Sequence, residues 1–361
     1  MKYLKAVKVT RKGDLLGRAY SQLKREAIPA PPFMLFSVSP DLFAGNWSMF
    51  REIFLVEKHV GREVKEAVNV AVSQINACPY CVDVHAVMLT GIDRKETAKA
   101  LLNHDIDRIT DPKTRDIVEW ALNSTRPGHP LLSDPPFSPA EAPEVIGAAF
   151  QFHFINRLVN ILVGETFIPL PVGKGIAGYL VSKAMRQKGF VGVSRRAGES
   201  LTLLPEAPLP EDFRWAEPNP AIAQALARMA RAVDEAVSDV AREEALGFVK
   251  SRISEWNGED KGFSKTWVDS DTDHLDSETK AFARLALLTA FSAHQVEERD
   301  VSQFRTTLPK DYQLLAVTAW ASFQAARRIV GWTSVADIGR PTQPLSNAKT
   351  RAAAKRIDPD D

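Results

Sequence analysis

Ala71-Val72-Ser73-Gln74-Ile75-Asn76-Ala77-Cys78-Pro79-Tyr80-Cys81-Val82-Asp83-Val84-His85 holds both cysteines of the chain, and its reading decides the rest. Just ahead, Val64, Val68, Ala71 and Ile75 recur at i, i+4, i+7 and i+11, one stripe of a helix. Pro79 would break a helix interior but is favoured at a first helical position. The segment therefore predicts two helices with a break at residues 76–78, Cys78 as N-cap of the second and Cys81 in its first turn. Free amides and the positive end of the helix dipole favour a thiolate there, so the Cys81 thiol is expected to have a lowered pKa. His85, four residues on, shares the face of Cys81 one turn away, where an imidazole can take the thiol proton or stabilise the anion. Cys78 and Cys81 are close enough in such a turn to form a disulfide. Glu66 precedes Cys78 by twelve residues, among Val64, Ala67, Val68, Val70, Ala71 and Val72. A carboxyl on so apolar a helix is expected to be buried, to have a raised pKa and to exchange a proton near neutrality.

Other chemistry fits these residues less well. Cys-Pro-Tyr-Cys also occurs in glutaredoxin-like proteins, but there it follows a strand, and here the preceding segment is helical. Haem attachment needs a histidine directly after the second cysteine, where Val82 stands. A zinc site on Cys78, Cys81 and His85 lacks the usual distant second ligand pair, so neither metal nor cofactor is expected. Gly-rich phosphate loops, Ser/His/Asp signatures and His-Glu metal motifs are absent. Each residue also has a plainer reading: the cysteines as small buried hydrophobes, His85 as structural, Glu66 as an ion-pair partner. His153, between Phe152 and Phe154, reads as a hydrogen-bonded core histidine.

Length and charge set the frame. The 361 residues fit two domains, and 45% hydrophobic with 25% charged residues is a globular balance. A net charge of +1 argues against a nucleic-acid or membrane-surface partner. Residues 154–180 are the most apolar stretch, but Arg157, Glu165, Pro169, Pro171 and Lys174 interrupt it, so no membrane span is expected. Lys2, Lys5, Lys8, Arg11 and Lys12 read as a solvated arm, without the apolar region of a secretory signal. Two cysteines three residues apart point to a reducing, cytoplasmic setting rather than to structural disulfides.

Long alternating strand patterns are missing, so the fold class is all-α. Asp93 with Glu96 opens a helix over residues 93–103 in capping-box fashion, and Ser138, Pro139 and Glu141 open another. A weak internal repeat relates Lys113-Thr114-Arg115 and Ala121-Leu122 to Glu278-Thr279-Lys280 and Ala286-Leu287, at an offset of 165. The expected organisation is a domain at 1–200 carrying the cysteines, a Pro-rich linker at 201–220, a helical domain at 221–345 and a tail at 346–361. The positions matching the cysteines fall near Glu244 to Phe248, which have neither cysteine nor histidine, so the second half is expected to be redox-silent.

Glu66, the gap of twelve, Cys78 and Cys81 with two residues between, His85, Leu89 and Gly91 together resemble the AhpD-like alkylhydroperoxidases of the carboxymuconolactone decarboxylase superfamily. The close similarity spans some thirty residues, with a looser one continuing to Leu158 and a degenerate second copy behind it. The resemblance implies a helical bundle, Cys81 as the nucleophile that reduces a hydroperoxide, Cys78 as the thiol that resolves the product into a disulfide, and His85 with Glu66 as a proton relay. It also implies a dithiol reductant, lipoyl or thioredoxin-like, and a homo-oligomer, trimer or dimer. The family has a histidine directly before its second cysteine, where this chain has Tyr80. Two other classes of function stand beside a peroxidase: a redox sensor in which the cysteine pair only switches conformation, and a lyase or isomerase using Glu66 and His85.

Overall fold

The computed structural model describes residues 1–92, 94–164 and 193–334, and among them all regular structure is helical. The first half comprises α1 (Leu15–Glu26), α2 (Pro31–Met34), α3 (Pro40–Phe50), α4 (Arg62–Ile75), α5 (Pro79–Gly91), α6 (Lys95–Leu102), α7 (Pro112–Leu122), α8 (Pro130–Ser133) and α9 (Ala142–Leu162). The second comprises α10 (Pro220–Ser238), α11 (Glu243–Glu255), α12 (Thr266–Thr272), α13 (Ser277–Ser292), α14 (Glu298–Arg305) and α15 (Asp311–Val330). Among the described residues α4 to α9 and α10 to α15 are two runs of six helices, each ending in a long one, Ala142–Leu162 and Asp311–Val330. A local device recurs at the offset of the sequence repeat. Asp111 caps α7 by accepting from the Thr114 amide at 2.9 Å, and Asp276 caps α13 by accepting from the Thr279 amide at 3.2 Å.

One helix holds the halves together. α9 is long and apolar enough to cross a membrane by length and composition, but it is buried along nearly its whole length as a core helix. α4 packs on it from the first half and α15 from the second. Ser322 on α15 donates to the Phe154 carbonyl at 2.6 Å. Phe150 meets Phe213 and Phe323 edge-on, with ring centres 5.2 and 5.1 Å away. Burying each such ring contributes about 1.5–3 kcal/mol. Phe213 and Trp215 come from the 201–220 stretch, which holds the 3-10 helices Leu201–Leu203 and Glu211–Ala216. A single hydrophobic cluster runs through both halves.

Some local expectations are corrected. α9 starts at Ala142, four residues after Ser138, whose amide and hydroxyl instead bind Glu141 in a separate turn. A helix beginning at Ser138 would put Pro143 in its interior, where the ring strikes a carbonyl one turn back. The N-terminal cations are exposed, as a solvated arm requires, but the arm's backbone is pinned. The Lys2 amide donates to the Leu162 carbonyl at 2.8 Å, and the Lys5 amide to Asp311 at 2.9 Å. Asp93, the expected cap of the next helix, and the tail at 346–361 lie outside the described residues, as does most of the apolar stretch after Gly164.

A buried ionic knot sets the height of α4 against α9. α3 runs into a π-helical turn, Arg51–Leu55, an irregularity common near functional sites. The Ile53 carbonyl of that turn and the Val56 carbonyl just after it each accept from Lys65 Nζ at 2.9 Å. Glu144 at the start of α9 lies 2.5 Å from the same ammonium and also accepts from the His59 amide. Burial lowers the Lys65 pKa even though Glu144 works to raise it.

Candidate active site

α4 and α5 are joined by the break that the sequence predicts. Asn76 ends α4, Ala77 takes a left-handed conformation at φ 48°, and Cys78 is the N-cap of α5 with Pro79 at its first position. A left-handed alanine costs roughly 1–2 kcal/mol. The surrounding bonds hold it: the Cys78 amide donates to the Ser73 carbonyl at 2.9 Å, and Asn160 on α9 donates to the Asn76 carbonyl at 3.0 Å. The tight reversal brings α4 back along α5.

The four predicted residues form two pairs there, Cys78 with Cys81 and Glu66 with His85. The Cys78 and Cys81 sulfurs, both buried free thiols, lie 2.8 Å apart. Glu66 Oε2 accepts a hydrogen bond from His85 Nδ1, while its other oxygen accepts from Arg62 Nε at 2.7 Å. With Nδ1–H committed to the carboxylate, the second ring nitrogen of His85 is left to receive a proton. Phe152 on α9 packs edge-on against the imidazole, with centres 4.6 Å apart. It fixes the ring plane.

Two electrostatic expectations are reversed. Burial pushes the Cys81 thiol well above its ordinary value, and the neighbouring Cys78 adds to the rise. Asn156 on α9, hydrogen-bonding the sulfur, pulls the other way and loses. Helix-end stabilisation counts for little once the sulfur has left water. Glu66 also departs from its expectation. Its complete burial would raise its pKa, but the Arg62 charge and then His85 outweigh burial and hold the carboxyl below its usual value. It therefore stays ionised at neutrality beside His85. Desolvation, and the nearby Cys81 and Cys78, push the Tyr80 phenol up to about 12, so it remains protonated.

The thiol result has a direct check. Each unit of pKa rise removes about tenfold of the thiolate present at neutral pH. In reduced protein without substrate, the alkylation rate of Cys81 by iodoacetamide should therefore climb with pH along a curve whose midpoint lies above that of free cysteine. A midpoint at or below the free-cysteine value would restore the anion expected from the helix start.

Cys81 and His85 open onto one cavity of about 220 Å³, walled by Phe33, Phe50, Val84, Met88, Phe152 and Ile155. Its walls are almost wholly apolar apart from Asn46, Gln151, Tyr80, Cys81 and His85. Sequence reading missed every contribution from α3 and α9 because those helices lie far along the chain. Gln151 and Asn156 left one trace, as isolated amides in an apolar run. Arg62, one turn before Glu66 on the same helix, was readable from spacing alone. His153 is a buried core histidine bonded to Ser124 and Asn76, and burial holds its pKa well down. Among the described residues no group of three or more His, Cys, Asp or Glu is placed to hold a metal ion.

Comparison with known proteins bears on the same region. Residues 40–123 match the model of the carboxymuconolactone decarboxylase family. An alkyl hydroperoxide reductase of Mycobacterium tuberculosis is 35% identical over 350 residues, covering 94% of this chain and 96% of the relative. No solved structure matches.

Proposed function

The chain belongs to the carboxymuconolactone decarboxylase family, and from that premise we propose that it is a thiol-dependent hydroperoxidase working through Cys81, Cys78, His85 and Glu66. One observation carries this reading: Cys81 and His85 share the wall of an apolar cavity, with the Cys78 sulfur 2.8 Å from that of Cys81. The mycobacterial relative, similar along nearly all of this chain, is named for reduction of alkyl hydroperoxides.

The geometry supports the following order of events. Cys81 rests as a neutral thiol, and its proton passes to the open ring nitrogen of His85 as a hydroperoxide enters. Glu66, kept ionised by Arg62, stabilises the imidazolium that forms. The sulfur attacks the distal peroxide oxygen; the S–O bond forms, the O–O bond breaks, and the alkoxide takes the proton from His85 to leave as an alcohol. Cys81 is then a sulfenic acid. The Cys78 thiol attacks that sulfur, releasing water and closing the disulfide. A dithiol of lipoyl or thioredoxin type supplies the two electrons and two protons that reset the pair.

Stoichiometry tests the proposal. Reduced protein mixed with cumene hydroperoxide should lose two thiols for each peroxide consumed and yield one alcohol, repeatedly when dihydrolipoamide is supplied. Thiols that survive excess peroxide would overturn it. Oxidation that occurs once and never recycles with any dithiol would point to a sensor instead.

A further inference from the structure

The cavity beside Cys81 contains two amide side chains that the peroxidase reading leaves without a role. Asn46 on α3 and Gln151 on α9 both line it among apolar walls, and both are almost completely buried, at 3% and 2% exposure. Asn46 Oδ1 and Gln151 Oε1 accept no hydrogen bond, and among the described residues neither amide side chain has a partner. A buried polar atom without a partner costs about 1–3 kcal/mol. Leucine or methionine would fill the same space without that cost. Two such amides in one apolar cavity point to a polar group that arrives from outside.

We propose that Asn46 and Gln151 hold the peroxide end of an apolar hydroperoxide at Cys81, a specificity that rests on the hydroperoxidase reading above. An amide presents an acceptor and two donors, and a half-turn about its last bond exchanges them. A hydroperoxide offers one O–H to donate and two oxygens to accept. One amide therefore takes the distal O–H while the other donates to the oxygen that leaves as alkoxide. The hydrocarbon body fills the space between Phe33, Phe50, Met88 and Phe152. Hydrogen peroxide could satisfy the amides but would leave that space empty. Recognition then joins a bulky apolar body with a small hydroxyl-bearing head.

The test uses two molecules of one shape that do not react with thiols: 2-phenylpropan-2-ol, which carries the hydroxyl, and tert-butylbenzene, which has a methyl in its place. Protection of Cys81 from iodoacetamide is followed at mildly alkaline pH by peptide mass. On apolar burial alone the hydrocarbon would protect better. With the amides engaged, the alcohol should protect at about tenfold lower concentration, the value of one well-made hydrogen bond. In Asn46→Leu and Gln151→Met the preference should reverse, and kcat/KM for cumene hydroperoxide should fall by about tenfold in each. Preference of the wild-type protein for tert-butylbenzene overturns the inference, and this comparison decides even if a variant fails to fold. The assay involves no turnover, so its failure is distinct from a failure of the peroxidase reading, which would show as thiols surviving peroxide.

Discussion

Cys81→Ser protein is expected to consume cumene hydroperoxide at least about 10³-fold more slowly than wild type, since loss of a catalytic nucleophile removes most of the rate enhancement. Cys78→Ser should behave differently. Its first turnover proceeds and stops at a Cys81 sulfenic acid, which dimedone traps and mass spectrometry reads as one adduct per chain. The asymmetry comes from the cavity: Cys81 lines it and Cys78 does not, although their sulfurs are 2.8 Å apart. Attack by Cys78 on the sulfenic acid needs only a small movement to reach the disulfide bond length of about 2.05 Å. If Cys81→Ser turns over at the wild-type rate, the peroxidase reading falls. If the dimedone adduct forms on Cys78 in Cys81→Ser, the two roles are exchanged.

Glu66→Gln should show the second-largest effect, and it separates into two measurements. The amide keeps one acceptor oxygen, for Arg62 or for His85 but not both, and it carries no charge to set against an imidazolium. A fall in kcat of about 10²-fold follows, within the range of a positioned proton-transfer group. The substitution also removes the carboxylate charge from the buried Arg62–Glu66 pair; losing one partner of such a pair outright costs about 3–5 kcal/mol, and nearer the lower figure while glutamine keeps a hydrogen bond. The pH dependence gives the sign. Glu66 in the fold titrates below the ordinary glutamate value of 4.5, because Arg62 and His85 outweigh its burial. Its stabilisation is therefore fully present above that ordinary value and disappears as pH falls through the lower folded value. Urea denaturation of wild type and Glu66→Gln should give a wide gap near neutrality that closes in strong acid. A gap that stays constant with pH would mean that Glu66 is not the ionised partner.

Much of this site was legible because it is local. Proline after Cys78 predicts a helix start, and α5 begins there; the spacing of Cys81 and His85 places them one turn apart. The pairing of Glu66 with His85 was implied by the family resemblance, and the tight reversal brings the two together. The all-α class was equally open to reading, since helical periodicity needs only neighbours in sequence. What could not be read depends on distant chain. The thiol's pKa is set by how completely α5 is covered, and the covering residues Phe152, Ile155 and Asn156 belong to α9, some seventy positions further on. Glu66 shows the opposite lesson. Its helix correctly announced burial, but the sign of its titration turned on Arg62, one turn earlier.

The helix that carries Gln151, Phe152 and Asn156 to the thiols is the one clasped by α15 from the other half. The half without cysteines thus supplies the rear scaffolding of the cavity beside Cys81. Cutting the gene in two would leave Phe150 and Phe154 facing water where Phe323 now covers them, so neither half closes its own core.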